Sequence, residues 1–119
     1  MKFLWTTLQV RSIEESVEFY QKVLGLPVMT RTNPPGMALA FLGDGDTQVE
    51  LIQDAKNPQP APSPDVSMGF LTADLDATLA EVKKLGIPVH AGPFSPNPHI
   101  RFFYVLDPNG YKIQFVERK

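Results

Sequence analysis

Residues 4–28 read LWTTLQVRSIEESVEFYQKVLGLPV, and these 25 residues hold a strand, a capped helix and the start of a second strand. Leu4, Thr6, Leu8 and Val10 alternate with Trp5, Thr7 and Gln9, the period of two that puts neighbouring side chains on opposite faces of a strand. Ser12 and Glu15 have the spacing of a capping box, in which each side chain satisfies a free backbone N–H at a helix start. Ile13, Val17, Tyr20 and Val23 then recur at helical spacing and form one apolar face. Gly25 stands where a helix end calls for a residue tolerant of positive φ. Pro27 cannot continue a helix, so 26–30 is expected to be extended.

The same phrase returns about sixty residues later. Residues 68–73 are strand-like, Asp74 stands where Ser12 stood, and Leu75, Leu79, Val82 and Leu85 repeat the helical face, each displaced by 62. LGIPV at 85–89 echoes LGLPV at 24–28, displaced by 61. A period this long in a chain of 119 residues means two copies of one unit rather than a repeat array. The expected organisation is one domain over 1–119, built from a first module at 1–56, a proline-rich linker at 57–64 and a second module at 65–119.

Composition sets the limits around this pair of modules. Hydrophobic content of 43% and charged content of 20% are globular values. A net charge of −2 offers no electrostatic footprint for nucleic acid or a membrane surface. No apolar run approaches the roughly 18 residues of a membrane span, and no signal peptide is read. With no cysteine, disulfides, thiolate metal sites and cysteine nucleophiles are excluded, which is compatible with the cytoplasmic location expected here.

Outward from the opening stretch, Asn33-Pro34-Pro35-Gly36 is a turn, 37–42 a short apolar strand, and Gly43-Asp44-Gly45-Asp46 a hairpin turn. Residues 47–53 form the next strand, with Val49 and Leu51 on one face and Gln48, Glu50 and Ile52 on the other. NPQPAPSP at 57–64 is stiff and extended. The second module repeats the order: strand at 66–73, helix at 75–85, strand at 87–91, a proline-rich loop at 92–98, strand at 99–106, an Asp107-Pro108-Asn109-Gly110 turn and a last strand at 111–117. There Ile113 and Phe115 share one face, and Lys112, Gln114 and Val116 the other. The helices are expected on the Val49/Leu51 type of face. The opposite face is expected to gather Trp5, Gln9, Glu50, Met68, Thr72 and Gln114, a mixture too polar for a tight core.

These residues resemble the vicinal oxygen chelate superfamily, the group of glyoxalase I, bleomycin resistance proteins and extradiol dioxygenases. The likeness lies in 8–10, Ser12 to Glu15, Phe19-Tyr20, Val23-Leu24-Gly25-Leu26, Val49-Glu50-Leu51 and Asp107-Pro108-Asn109-Gly110, and covers both modules. It implies an α+β fold of two paired βαβββ modules whose eight strands make a cupped mixed sheet, as in the glyoxalase/bleomycin resistance/dihydroxybiphenyl dioxygenase fold. It also implies a homodimer. Metal-using members place two histidines and two carboxylates at four strand positions. Those positions fall on Trp5, Glu50, Met68 (Ser67 after a one-residue slip) and Gln114. Trp5 to Met68 is a displacement of 63, and Glu50 to Gln114 one of 64.

Glu50 alone keeps a metal-competent side chain, whereas a catalytic site needs about three good protein ligands. An indole offers only a donor, and a thioether prefers soft ions. His90 and His99 flank the proline loop, away from the ligand positions; His99 is the better pocket candidate. No metal and no cofactor is expected. The first functional expectation is a metal-free protein binding a small aromatic or cationic molecule, as bleomycin resistance proteins do. Trp5 would stack on it, Met68 would be a soft wall, Gln114 would orient polar groups, and Glu50 would take a donor or cation. Gln9, Thr72 and His99 complete the candidate set. The alternatives are a glyoxalase-related lyase or isomerase using Glu50 as catalytic acid or base, ranked above a dioxygenase, and a structural module whose cup is filled by Trp5 and Met68. In that last reading Glu50 lies in solvent or pairs with Arg101 or Gln114.

Overall fold

The computed structural model describes residues 1–119, which divide into two compact units, Met1–Ala61 and Pro62–Lys119. The first carries β1 (Trp5–Gln9), α1 (Ile13–Lys22), β2 (Val28–Thr32), β3 (Met37–Leu42) and β4 (Gln48–Asp54). The second carries β5 (Ser67–Leu71), α2 (Leu75–Lys84), β6 (Ala91–Asn97), β7 (Ile100–Leu106) and β8 (Lys112–Arg118). Eight strands and two helices thus make two four-stranded mixed sheets, ordered β1-β4-β3-β2 and β5-β8-β7-β6. In each, the first strand runs parallel to the last and the other pairings are antiparallel. This is the βαβββ module the sequence predicts, twice over.

Both helices begin as their caps dictate. Ser12 Oγ accepts from the N–H of Glu15 at 3.2 Å, and Asp74 Oδ1 from the N–H of Ala77 at 3.0 Å. Glu15 turns its carboxylate outward to Arg11 at 2.9 Å, so the return half of the expected box gives way to an ion pair one turn of helix long. Gly25, at φ 67°, ends the first helical segment, and the N–H of Leu26 closes back on the carbonyl of Tyr20 at 3.1 Å.

A second anchor is invisible in local sequence. The first N–H of α1, on Ile13, is bound by Gln53 Oε1 of β4 at 2.7 Å. The first N–H of α2, on Leu75, is bound by Glu117 Oε2 of β8 at 2.8 Å. Each helix start is thereby pinned to the last strand of its own sheet, and Glu117 adds a negative charge where the helix dipole favours one.

The apolar faces lie where parity puts them. Leu8, Val10, Val17, Tyr20, Ala40, Leu42, Val49 and Leu51 are buried in the first module. Leu75, Val82, Phe103, Val105, Ile113 and Phe115 are buried in the second, with the rings of Phe103 and Phe115 5.1 Å apart. At about 25 cal/mol per Å² of apolar surface, burial of this kind is the dominant stabilising term.

Residues 92–98 depart from the expected loop. All but Pro98 lie in β6 (Ala91–Asn97), to which the strand expected at 87–91 contributes only Ala91. The reason is position: β6 is an edge strand, so Pro93 and Pro96 cost few ladder hydrogen bonds. Its pairing with β7 is correspondingly irregular, with register shifts between Ala91 and Phe94 and between Phe94 and Asn97.

Candidate functional site

Glu50 is the least expected residue in the first sheet. It sits on the central strand β4, 9% exposed, opposite in parity to the buried Val49 and Leu51. A buried carboxylate is costly unless hydrogen-bonded. Thr7 supplies the bond: its hydroxyl donates to Glu50 Oε1 at 2.6 Å, across a register that pairs Thr7 with Glu50. Within the second module, Arg101 pairs with Asp76 at 3.1 Å and Gln114 with Tyr104 at 3.3 Å.

The same register carries Trp5 and Gln9 to the Glu50 face, beside Gln48 and Ile52, and β3 adds Phe41 directly opposite Glu50. The Trp5 indole stands edge-on to Phe41, with ring centroids 5.1 Å apart and planes at 80°, and remains 43% exposed. The first module therefore presents an aromatic pair, a threonine-held carboxylate and the half-buried Gln9 on the face opposite α1.

In the second sheet, Gln114 occupies the expected face. Its amide donates to Tyr104 Oη at 3.3 Å. The β5 residues beside it are not the expected ones. Gly69 pairs with Gln114, and a side chain there would begin 3.2 Å from Gln114 Oε1. Met68 pairs with the fully buried Ile113 and lies on the α2 side of the sheet. Thr72 also falls on that side, past the strand end, its hydroxyl 2.7 Å from that of Thr78 in α2. Met68 and Thr72 are therefore corrected: neither shares the Gln114 face. Ser67, Gly69 and Leu71 share it instead.

The cause is a one-residue slip, which moves every side chain of a strand to the other face. Trp5 precedes its cap Ser12 by seven positions, and Ser67 precedes its cap Asp74 by the same seven. Ser67 pairs with Lys112 as Trp5 pairs with Gln48, so Ser67 and not Met68 is the counterpart of Trp5. His99 lies immediately before the start of β7, not within the strand that the sequence predicts from 99. It is an exposed turn residue between β6 and β7, its N–H held by Asn97 Oδ1 at 2.8 Å.

With the register corrected, the four positions to which the resemblance assigns metal ligands carry an indole and a carboxylate in the first module (Trp5, Glu50) and a hydroxyl and an amide in the second (Ser67, Gln114). That donor set does not fit a catalytic divalent transition ion, which requires about three imidazole, carboxylate or thiolate ligands. Nowhere in the chain do three or more His, Asp or Glu side chains gather in metal-binding geometry.

Sequence reading missed Thr7, Phe41 and Tyr104. Thr7 was placed correctly by alternation, but its hydrogen bond depends on β1 lying beside β4, which alternation does not give. A shallow cleft of about 240 Å³ in the second module is lined by Gly69, Phe70, Leu71, Val116 and Arg118. On the helices, the Arg31 guanidinium holds the Glu14 carboxyl below its usual range, and Arg101 does the same for Asp76, mainly through hydrogen bonds. No helix is long and apolar enough to cross a membrane.

Known proteins share this fold. The chain is 32% identical to the lactoylglutathione lyase of Neisseria meningitidis serogroup A, over all of this chain and 92% of that protein. It is 34% identical to the Bacillus subtilis protein YwbC, over 95% of this chain and 94% of that one. Among solved structures, Leishmania major glyoxalase I superposes with a TM-score of 0.85 at 23% identity, covering 98% of this chain and 86% of that one. TnmS3, an antibiotic-binding protein from a Streptomyces species, superposes with a TM-score of 0.80 at 20% identity, covering 100% and 97%. The family model of the glyoxalase/bleomycin resistance protein/dioxygenase superfamily matches residues 2–115, and the chain is a member of that superfamily.

Proposed function

We propose that this protein binds a small organic molecule without a metal, through an aromatic and carboxylate face rather than through a metal centre. The observation that carries the reading is the first-module face: the half-exposed Trp5 braced on Phe41, beside a buried Glu50 held by Thr7. An indole face attracts planar and cationic groups, and a desolvated carboxylate favours a donor or a cation. A cationic or donor-bearing aromatic compound satisfies both. TnmS3 is described as antibiotic-binding, which is consistent with this fold accommodating a sizeable organic ligand.

A second reading, a glyoxalase-like lyase with Glu50 as acid or base, is favoured by the relatives named lactoylglutathione lyase. The two readings separate in one series of measurements. Titration with benzylamine and larger cationic aromatics is expected to show saturable binding, weakened in Trp5→Ala by about 1–3 kcal/mol through lost stacking and burial. Assay of lactoylglutathione formation, with and without added Zn²⁺ or Ni²⁺, is expected to show no turnover above background. Turnover abolished in Glu50→Gln would establish the lyase instead, and an unchanged affinity in Trp5→Ala would remove Trp5 from the site.

A further inference from the structure

The second module differs from the first in the charge of the equivalent face. Lys112, Gln114 and Arg118 stand 64 positions after Gln48, Glu50 and Asp54. The strand register brings Ser67, Gly69 and Leu71 of β5, Phe102 and Tyr104 of β7 and these three β8 residues to the face opposite α2, with no carboxylate among them. Neither Lys112 nor Arg118 has an acidic partner within ion-pair distance. The Lys112 ammonium lies instead 4.9 Å from the centroid of the Tyr104 ring.

Tyr104 is set as a donor. Its hydroxyl oxygen accepts from Gln114 Nε2 at 3.3 Å, which leaves its own O–H available for a further acceptor. The ring is half-buried and edge-on to Phe102 at 5.8 Å, and Phe102 in turn packs against Phe94 at 5.6 Å. An aromatic wall thus runs up to a hydroxyl donor and a cation that lacks an anion. The open backbone at Gly69 leaves the Gln114 amide room to hold this arrangement.

From this geometry we infer that the second module binds a small aromatic carboxylate. One carboxylate oxygen accepts from the Tyr104 hydroxyl and the other meets the Lys112 ammonium, while the ring lies against Phe102 and Phe94. Charge-assisted hydrogen bonds of this kind are about twice as strong as neutral ones. The preference is opposite in charge to that of the Glu50 face. The inference does not rest on the Glu50 reading, and the two can fail separately.

The test is a calorimetric or NMR titration of the full-length chain with benzoate, benzyl alcohol and benzylamine. Benzoate is expected to bind more tightly than benzyl alcohol, and more weakly as salt is raised. Lys112→Met is expected to weaken benzoate about tenfold, as loss of one charged hydrogen bond does. Lys112→Arg keeps most of the affinity, and Tyr104→Phe, which retains the ring, lowers it by roughly threefold to tenfold. Absence of saturable benzoate binding, equal affinity for benzoate and benzyl alcohol, or unchanged benzoate affinity in Lys112→Met would each overturn the inference.

Discussion

Thr7 and Glu50 show how much one hydrogen bond can decide. Strand parity alone puts Glu50 away from Val49 and Leu51, and that much is legible in the sequence. What parity cannot supply is the neighbour, because the order β1-β4-β3-β2 brings together residues 43 positions apart. The observed bond of 2.6 Å is short, as expected for a hydroxyl donating to a carboxylate. Removing the donor while keeping the shape leaves a buried carboxylate oxygen without its partner. Thr7→Val is therefore expected to destabilise the protein by about 1–3 kcal/mol. Thr7→Ser, which keeps the hydroxyl, is expected to cost less than that. Urea unfolding of the two variants checks this, and a Thr7→Val as stable as the parent would mean that Glu50 draws its solvation from elsewhere.

Elements were legible where two independent signals agreed, and illegible where a single signal was counted from the wrong origin. Both helices follow from cap, apolar spacing and terminal glycine together. Strand β5 does not, because its side-chain direction depends on a count that can slip by one. The helix positions Ile13, Val17, Tyr20 and Val23 recur at 62, and 62 carried back from Trp5 gives Ser67. Counting instead from the family's second histidine position gave 63, and with it Met68 and Thr72 on the wrong face. The proline-rich segment 92–98 was misread for a different reason: nothing local says that a strand lies at an edge, where Pro93 and Pro96 are tolerated. The register of β5 has a direct consequence for substitution. Met68→Asp places a carboxylate opposite the fully buried Ile113 and is expected to destabilise by roughly 2 kcal/mol or more. Ser67→Asp, on the exposed alternate position, is expected to stay within about 0.5 kcal/mol of the parent. Thermal and urea unfolding of the pair would show the reverse order if the strand were slipped.

At the scale of the whole molecule, two copies of one module have kept their architecture and diverged in the chemistry of equivalent positions. Gln53 and Glu117 still pin α1 and α2 by the same bond to the same helix position. Gln48 and Lys112, Glu50 and Gln114, Trp5 and Ser67 occupy equivalent registers with unlike side chains. Of the four positions to which the resemblance assigns metal ligands, only Glu50 carries a side chain suited to a divalent transition ion. The rest of the chain does not compensate: it has no cysteine, and its two histidines, His90 and His99, are exposed residues outside the strands. The purified protein is accordingly expected to carry no stoichiometric Zn²⁺, Ni²⁺ or Fe²⁺. Linkage makes the expectation measurable without an activity. A metal held at 100 times its dissociation constant would stabilise the fold by about 2.7 kcal/mol. For a domain of this size that is a rise in Tm of several degrees, since each kcal/mol shifts Tm by roughly 2–8 °C. Exhaustive chelation followed by addition of each ion is expected to leave Tm unchanged within error. A Tm lowered by chelation and restored by one equivalent of one ion, with that ion found by elemental analysis, would require a ligand set other than the one these strands provide.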